Sequence, residues 1–180
     1  MFAKPLLAAL LATTTTLAFP TASNTSDPQP WQILSLNTHS SSGRPGNDLN
    51  STLFVSIHDP NLIEAYFPPV TANCSVKWLP ADGAPYGVPQ NCTEIAQGYW
   101  TVTIGEGESG SSATENLNLE FKLVRDATVS GESVVKVFTG GDHFEVGENM
   151  SGQCGGSGVC NWQLTNPPYD IEQTEQPADE

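Results

Sequence analysis

Three histidines, His39, His58 and His143, and a surplus of carboxylates are the groups in this chain that could do acid–base or metal chemistry. His58 precedes Asp59 at the end of an apolar run, and Asp142-His143 follows the Gly140-Gly141 pair, which reads as a turn. Serine, histidine and aspartate for a hydrolytic triad are therefore all on hand. The glycine-flanked Ser109, however, sits in Gly107-Glu108-Ser109-Gly110. That is not the Gly-x-Ser-x-Gly elbow that forces a nucleophile onto a strained strand–helix turn, and no helical pattern follows it. Turn and strand-end roles account for these residues better than a triad does. Glu106 with Glu108, or Glu145 with Glu148, could instead supply the two acids of glycoside hydrolysis. That chemistry needs carboxyls about 5 Å or about 6.5–9.5 Å apart across a groove, a separation that spacing in sequence does not set. In a chain this acidic such pairs arise by abundance alone, so no residue is assigned as catalytic.

Metal chemistry finds less support. A zinc site needs closely spaced ligand pairs with histidines nearby, and the cysteines lack that setting. A histidine-brace copper site needs histidine at the mature N-terminus, and the calcium-loop spacing of an EF-hand is absent. No metal and no cofactor is expected. The four tryptophans, Trp31, Trp78, Trp100 and Trp162, could form a sugar-stacking platform. All but Trp31 lie inside apolar β-type runs, where a core role outweighs a ligand face.

The four cysteines are Cys74, Cys92, Cys154 and Cys160. An even count in an oxidising compartment reads as two disulfides, with three possible connectivities. Cys74–Cys92 and Cys154–Cys160 are the expected pairs, because short loops close at least entropic cost. Loop-closure entropy gives roughly 3 kcal/mol for the first and roughly 2 kcal/mol for the second. Asn-x-Ser/Thr sequons stand at Asn24, Asn50, Asn73, Asn91 and Asn149. Asn50 and Asn149, in Gly- and Asn-rich surroundings, are the better glycan candidates. Asn73 and Asn91 are weaker, since the middle residue of each tripeptide is a bridged cysteine.

These residues are carried by a β-type pattern. Runs at 31–36 (WQILSL), 53–57 (LFVSI), 74–78, 99–104 (YWTVTI), 133–138 (SVVKVF) and 159–164 (VCNWQL) are short, apolar and rich in β-branched and aromatic residues. Leu117, Leu119, Phe121 and Leu123 alternate with Asn118, Glu120 and Lys122, so one row faces the core and the other water. Turn formers separate the runs at 105–110, Gly131, Gly140-Gly141 and 155–158. Residues 62–67 (LIEAYF) fit either a further strand or a single helical turn. The expectation is an all-β, antiparallel sandwich or barrel of about seven to nine short strands, stapled by two local disulfides.

The ends read differently. Residues 1–18 have the form of a secretory leader: Lys4 as the charged n-region, 6–11 as the apolar core, Thr16 and Ala18 as the small residues before cleavage, with Ala22 the second choice. The apolar run is shorter than the roughly 20 residues a membrane span needs. Residues 19–30 read as a disordered lead-in, 31–166 as one domain and 167–180 as an acidic, solvated tail. Six Lys+Arg against twenty Asp+Glu give a net charge of −14. A polyanion is repelled by phosphate backbones and anionic lipid, so neither nucleic acid nor membrane is an expected partner.

The order of these features resembles the AA1-like family of fungal secreted proteins, typified by the major Alternaria allergen. The likeness is carried by the leader, the Trp31-Gln-Ile-Leu opening, Asn73-Cys74-Ser75-Val76 with Cys92, the alternating strand at 117–124, and Cys154-Gly-Gly-Ser-Gly-Val-Cys160. It spans residues 31–164 and implies a barrel-like β-sandwich with two sequence-local disulfides. It also implies an extracellular or wall-associated protein of the allergen, effector or elicitor kind. The resemblance further implies ligands such as the plant defence proteins or small phenolics that some members bind, and no settled enzymatic activity. Two departures stand out: the early cysteine that links the family's prototype into a dimer is missing here, which argues against a covalent dimer, and the late cysteine loop is short. The function expected is secreted, non-catalytic recognition of a host or cell-wall protein, glycan or small ligand. The alternative is a polysaccharide hydrolase, marked by a groove with two carboxylates beside an exposed tryptophan, or a carbohydrate-binding module, marked by the tryptophan without the acids.

Overall fold

The computed structural model describes residues 28–107 and 112–177. The leader, Asn24, Glu108 and Ser109 lie outside the described residues, as does all of the lead-in but its last three positions. Eleven strands form two antiparallel sheets that face each other without joining into a barrel. The first sheet has the order β3-β2-β1-β9-β8, from β1 (Trp31–Ser40), β2 (Ser51–Asp59), β3 (Val70–Trp78), β8 (Met150–Cys154) and β9 (Cys160–Leu164). Its sixth strand, β10 (Tyr169–Ile171), pairs with the start of β1, while β9 pairs with its end. The second sheet has the order β11-β7-β6-β5-β4, from β4 (Gln90–Asn91), β5 (Gly98–Glu106), β6 (Asn116–Val129), β7 (Glu132–Glu145) and β11 (Thr174–Gln176).

Alternation explains the packing. On β2, Leu53, Val55 and Ile57 are buried; on β5, Trp100, Val102 and Ile104; on β6, Leu117, Leu119, Phe121 and Leu123. These inner rows meet between the sheets, where each buried Leu, Ile or Phe contributes about 1.5–3 kcal/mol. On β1 a register shift between Ile33 and Ser35 changes the phase, so Trp31 and Ile33 point inward before it and Leu36 and Thr38 after it. Trp31 and Trp100 meet edge to face across the core with ring centroids 4.6 Å apart. β6 and β7 form a long hairpin whose Ser130-Gly131 tip has positive φ at both residues, as a type I′ turn requires.

The two expected disulfides are present, and they sit in different places. Cys74–Cys92 joins edge strand β3 of one sheet to the residue after β4, at the edge of the other. Cys154–Cys160 closes the β8–β9 hairpin within one sheet, its cysteines being register partners.

Several expectations need correction. The all-β antiparallel sandwich stands, with eleven strands among the described residues against about seven to nine expected, three of them only two or three residues long. The Gly140-Gly141 pair is not a turn but lies within β7. A Cβ at Gly140 would stand 2.4 Å from the Glu172 carbonyl and 3.2 Å from the Trp31 ring; one at Gly141 would stand 2.4 Å from the Leu119 carbonyl. Glycine is there for close approach, not for chain reversal. The region read as a solvated tail carries β10 and β11, and Ile171 is buried against the core. Residues 62–67 resolve as a single 3₁₀ turn, Glu64–Tyr66, bracketed by a bridge between Ile63 and Phe67. Among the described residues no helix is long and apolar enough to cross a membrane.

Candidate functional site

Strand register places the outward side chains of the first sheet in ranks. Ser75, Phe54, Asn37, Gln163 and Ser151 form one rank across β3-β2-β1-β9-β8. Lys77, Thr52, His39, Asn161 and Gln153 form the next. On β1, β2 and β3 these side chains are outward because their strand neighbours are turned into the core. A groove of about 490 Å³ runs over these ranks on β2, β1 and β9 and reaches Gly152 and Gln153 of β8, and no aspartate or glutamate lines it. Its groups are amides, threonine hydroxyls and an imidazole with two aromatic side chains, Phe54, which is 39% exposed, and Trp162, which is half-buried and packed against the core. His39 Nδ1 and the Asn161 side-chain oxygen are 2.9 Å apart, which fixes the imidazole against β9. Amide and hydroxyl groups donate and accept together, so the face suits a ligand that does likewise.

The outer face of the second sheet has a groove of about 750 Å³ along Thr101, Thr103, Glu120, Lys122, Asn118 and His143. Gly141 stands in the rank of Thr103 and Glu120, and Gly105 in that of Asn118 and His143, so the pleated surface is notched there. At one end, His143, Glu145 and Glu148 each bring one donor atom into a set spanning no more than 4.8 Å. The local turn makes this possible. Asn149 accepts from the Glu145 N–H at 2.9 Å and donates to the His143 carbonyl at 2.8 Å, folding the chain back so that Glu148 returns beside Glu145. Three such donors could hold a divalent cation at the surface. A second grouping, Glu115 with Cys154 and Cys160, offers no thiolate, because both sulfurs are in a disulfide.

The carboxylates considered for hydrolysis thus separate. Glu145 and Glu148 come together, one oxygen of each lying within 4.8 Å of the other. They lie at an exposed turn rather than inside a cleft. The partner proposed for Glu106 is outside the described residues, while the Glu106 carbonyl accepts a hydrogen bond from Asn118. The histidines do not converge: His39 and His143 are on opposite outer faces, and His58 Nδ1 lies 2.9 Å from Thr71 Oγ1. Tryptophan supplies no platform. Trp31 and Trp100 are wholly buried, Trp78 closes the core, and Trp162 is half-buried with its ring against Gly152. Trp31, the one outside the strongest apolar runs, is among the most buried; the exposed aromatic of the first groove is Phe54.

The four described sequons differ in exposure. Asn50 is half-buried and donates to Asp48 at 2.7 Å, and that bond with a second from the Asn50 N–H pulls the Asp48 carboxyl down to about 2. Asn149 is half-buried in the turn just described. Asn73 and Asn91 are exposed, and their side-chain amides make no hydrogen bond among the described residues.

One residue went unnoticed in the sequence. Arg125 is 1% exposed, donates to the Pro68 carbonyl at 3.1 Å, lies 5.2 Å from the centre of the Phe67 ring and faces buried Asp59. Burial lowers its pKa, and the Asp59 charge acts in the other direction. Its position continues the inward series 117, 119, 121, 123, and that phase was the available signal.

No protein-family model matches this chain, and neither does any curated protein or solved structure.

Proposed function

We propose that this chain is a secreted, non-catalytic recognition protein of fungal type, and that it binds a neutral polysaccharide of a host or cell wall on the outer face of its six-stranded sheet. One observation carries the reading: in a chain of net charge −14, the groove over β2, β1 and β9 has no carboxylate in its lining. Side-chain amides, a hydroxyl and His39 offer paired donors and acceptors to sugar hydroxyls, and exposed Phe54 offers a ring for a sugar's apolar face. The face is open and built on strands, so an extended polymer can lie across it without entering a cleft. Two disulfides and the leader-type segment 1–18 support an extracellular site of action. The resemblance to AA1-like proteins supports a host-facing or wall-facing role.

The test is a glycan array probed with the purified mature protein, run beside reducing-end assays on the same polysaccharides. Binding without turnover is expected, with Phe54→Ala and Asn37→Ala each weakening it at least tenfold and leaving the fold intact. Turnover that disappears in Glu145→Gln or Glu148→Gln would establish the hydrolase reading instead.

A further inference from the structure

We propose that Asn73 and Asn91 carry N-linked glycans, that Asn50 and Asn149 do not, and that the two glycans cover the edge where β3 meets β4. The disulfide itself dictates this display. Cys74 and Cys92 turn in to bridge the two sheets, and successive side chains of a strand point to opposite faces. Asn73 must therefore project from the outer face of the first sheet, where it pairs with Ser56. Asn91 projects from the outer face of the second, opposite Thr101. The backbone between them is satisfied without either side chain: the Thr93 N–H donates to the Asn73 carbonyl at 2.8 Å, and the Asn73 N–H to Thr93 Oγ1 at 3.0 Å. Both amides are left in solvent.

The other two described sequons are spent on structure. Asn149 bonds through both ends of its amide, to the His143 carbonyl and the Glu145 N–H, and Asn50 donates to Asp48. A sugar on Asn149 would have to occupy the space in which the β7–β8 turn closes. Glycan transfer precedes folding, so a chain modified there would not complete that turn. In the transfer, a lipid-linked oligosaccharyl diphosphate is the donor. The bond from sugar C1 to Nδ2 forms, the bond from C1 to the diphosphate oxygen breaks, the diphosphate leaves with the electron pair, and the amide's displaced proton passes to solvent.

The location gives the modification a purpose. β3 is a nine-residue edge strand whose one ladder partner among the described residues is β2, its outer edge met at Asn73 by Thr93, and β4 is the two-residue edge of the opposite sheet. Unpaired strand edges recruit other chains. Glycans on both outer faces of one edge would block that approach from either side.

This inference rests on the extracellular reading above. The full chain should be expressed in a eukaryotic secretion host, deglycosylated with peptide-N-glycosidase in heavy-oxygen water, and its peptides weighed. Heavy aspartate is expected at positions 73 and 91, with unmodified asparagine at 50 and 149. A secreted protein with bare Asn73 and Asn91, or with occupied Asn149, overturns the inference and leaves the polysaccharide reading standing. A chain held inside the cell with residues 1–18 attached and no glycan overturns both. For the covering role, the folded protein is deglycosylated and followed by light scattering, with Asn73→Gln and Asn91→Gln proteins alongside. Faster self-association is expected in all of them, and an unchanged rate removes that role.

Discussion

The two disulfides look alike in sequence, each joining cysteines within one local stretch, yet they work on opposite edges of the sandwich in different ways. Cys74–Cys92 spans 18 positions, has one wholly buried cysteine and ties the edge of one sheet to the edge of the other. Cys154–Cys160 spans six positions and locks the end of a hairpin that its own ladder already aligns. Beside the first, Arg125 of β6 ties the second sheet to Phe67 and Pro68, just ahead of β3. One edge therefore holds the layers together; the other holds a turn in shape. Loop length alone would rank the two bridges only about 1 kcal/mol apart, and position separates them further.

The largest expected effect breaks the buried tie. Arg125→Ala leaves the Pro68 carbonyl without its donor and empties the space over the Phe67 ring, a loss of about 3–5 kcal/mol from the charged hydrogen bond and the cavity together, seen as a lower urea midpoint. Arg125→Met, which keeps the stem over Phe67, should lose less. Replacing Cys74 and Cys92 together with alanine should cost about 3 kcal/mol, and hydrogen exchange should rise in β3 and β4 while β8 and β9 stay protected. The Cys154/Cys160 double alanine variant should cost about 2 kcal/mol, with faster exchange confined to the β8–β9 hairpin. Equal exchange patterns in the two variants would dissolve the contrast. The smallest effect lies in the β1–β2 loop, where Lys77 of the cross-sheet edge meets Asp48 at 3.6 Å. The Asp48 carboxyl is held at about 2 against an ordinary 3.8, chiefly by Asn50. Its contribution is thus present above the ordinary value and lost as pH falls toward 2. An NMR titration should return it toward 3.8 in Asn50→Ala.

What could be read in advance follows the reach of each signal. The cysteine pairs and the strands around residues 53–57, 99–104 and 117–123 were legible because alternation and loop closure act over few residues. β8 and β10 were not, since Met150 and Ile171 are nearly lone apolar residues in polar segments, and only their sheet neighbours bury them. Gly140-Gly141 was taken for a turn because the Trp31 ring and the Glu172 carbonyl that demand it arrive from distant parts of the chain. The polar groove was equally hidden. His39 and Asn161 are 122 positions apart, and only strand register makes them neighbours. The exposure of Asn73 and Asn91 was hidden for a local reason: the bridge beside them drew attention to constraint, whereas strand alternation turns both side chains outward.

The pairing of β10 with the start of β1 has a consequence for biosynthesis. Gln173 donates to the Gln29 carbonyl from 144 positions away, so β1 waits during synthesis for β10, made long after it, before that part of its edge is occupied. At translation speeds of about 5–20 residues per second, Trp31 spends many seconds without its final neighbours. The same adjacency offers engineers a seam: joining the folded region's two ends and reopening the chain at the Ser130-Gly131 tip should yield a circular permutant that keeps both sheets.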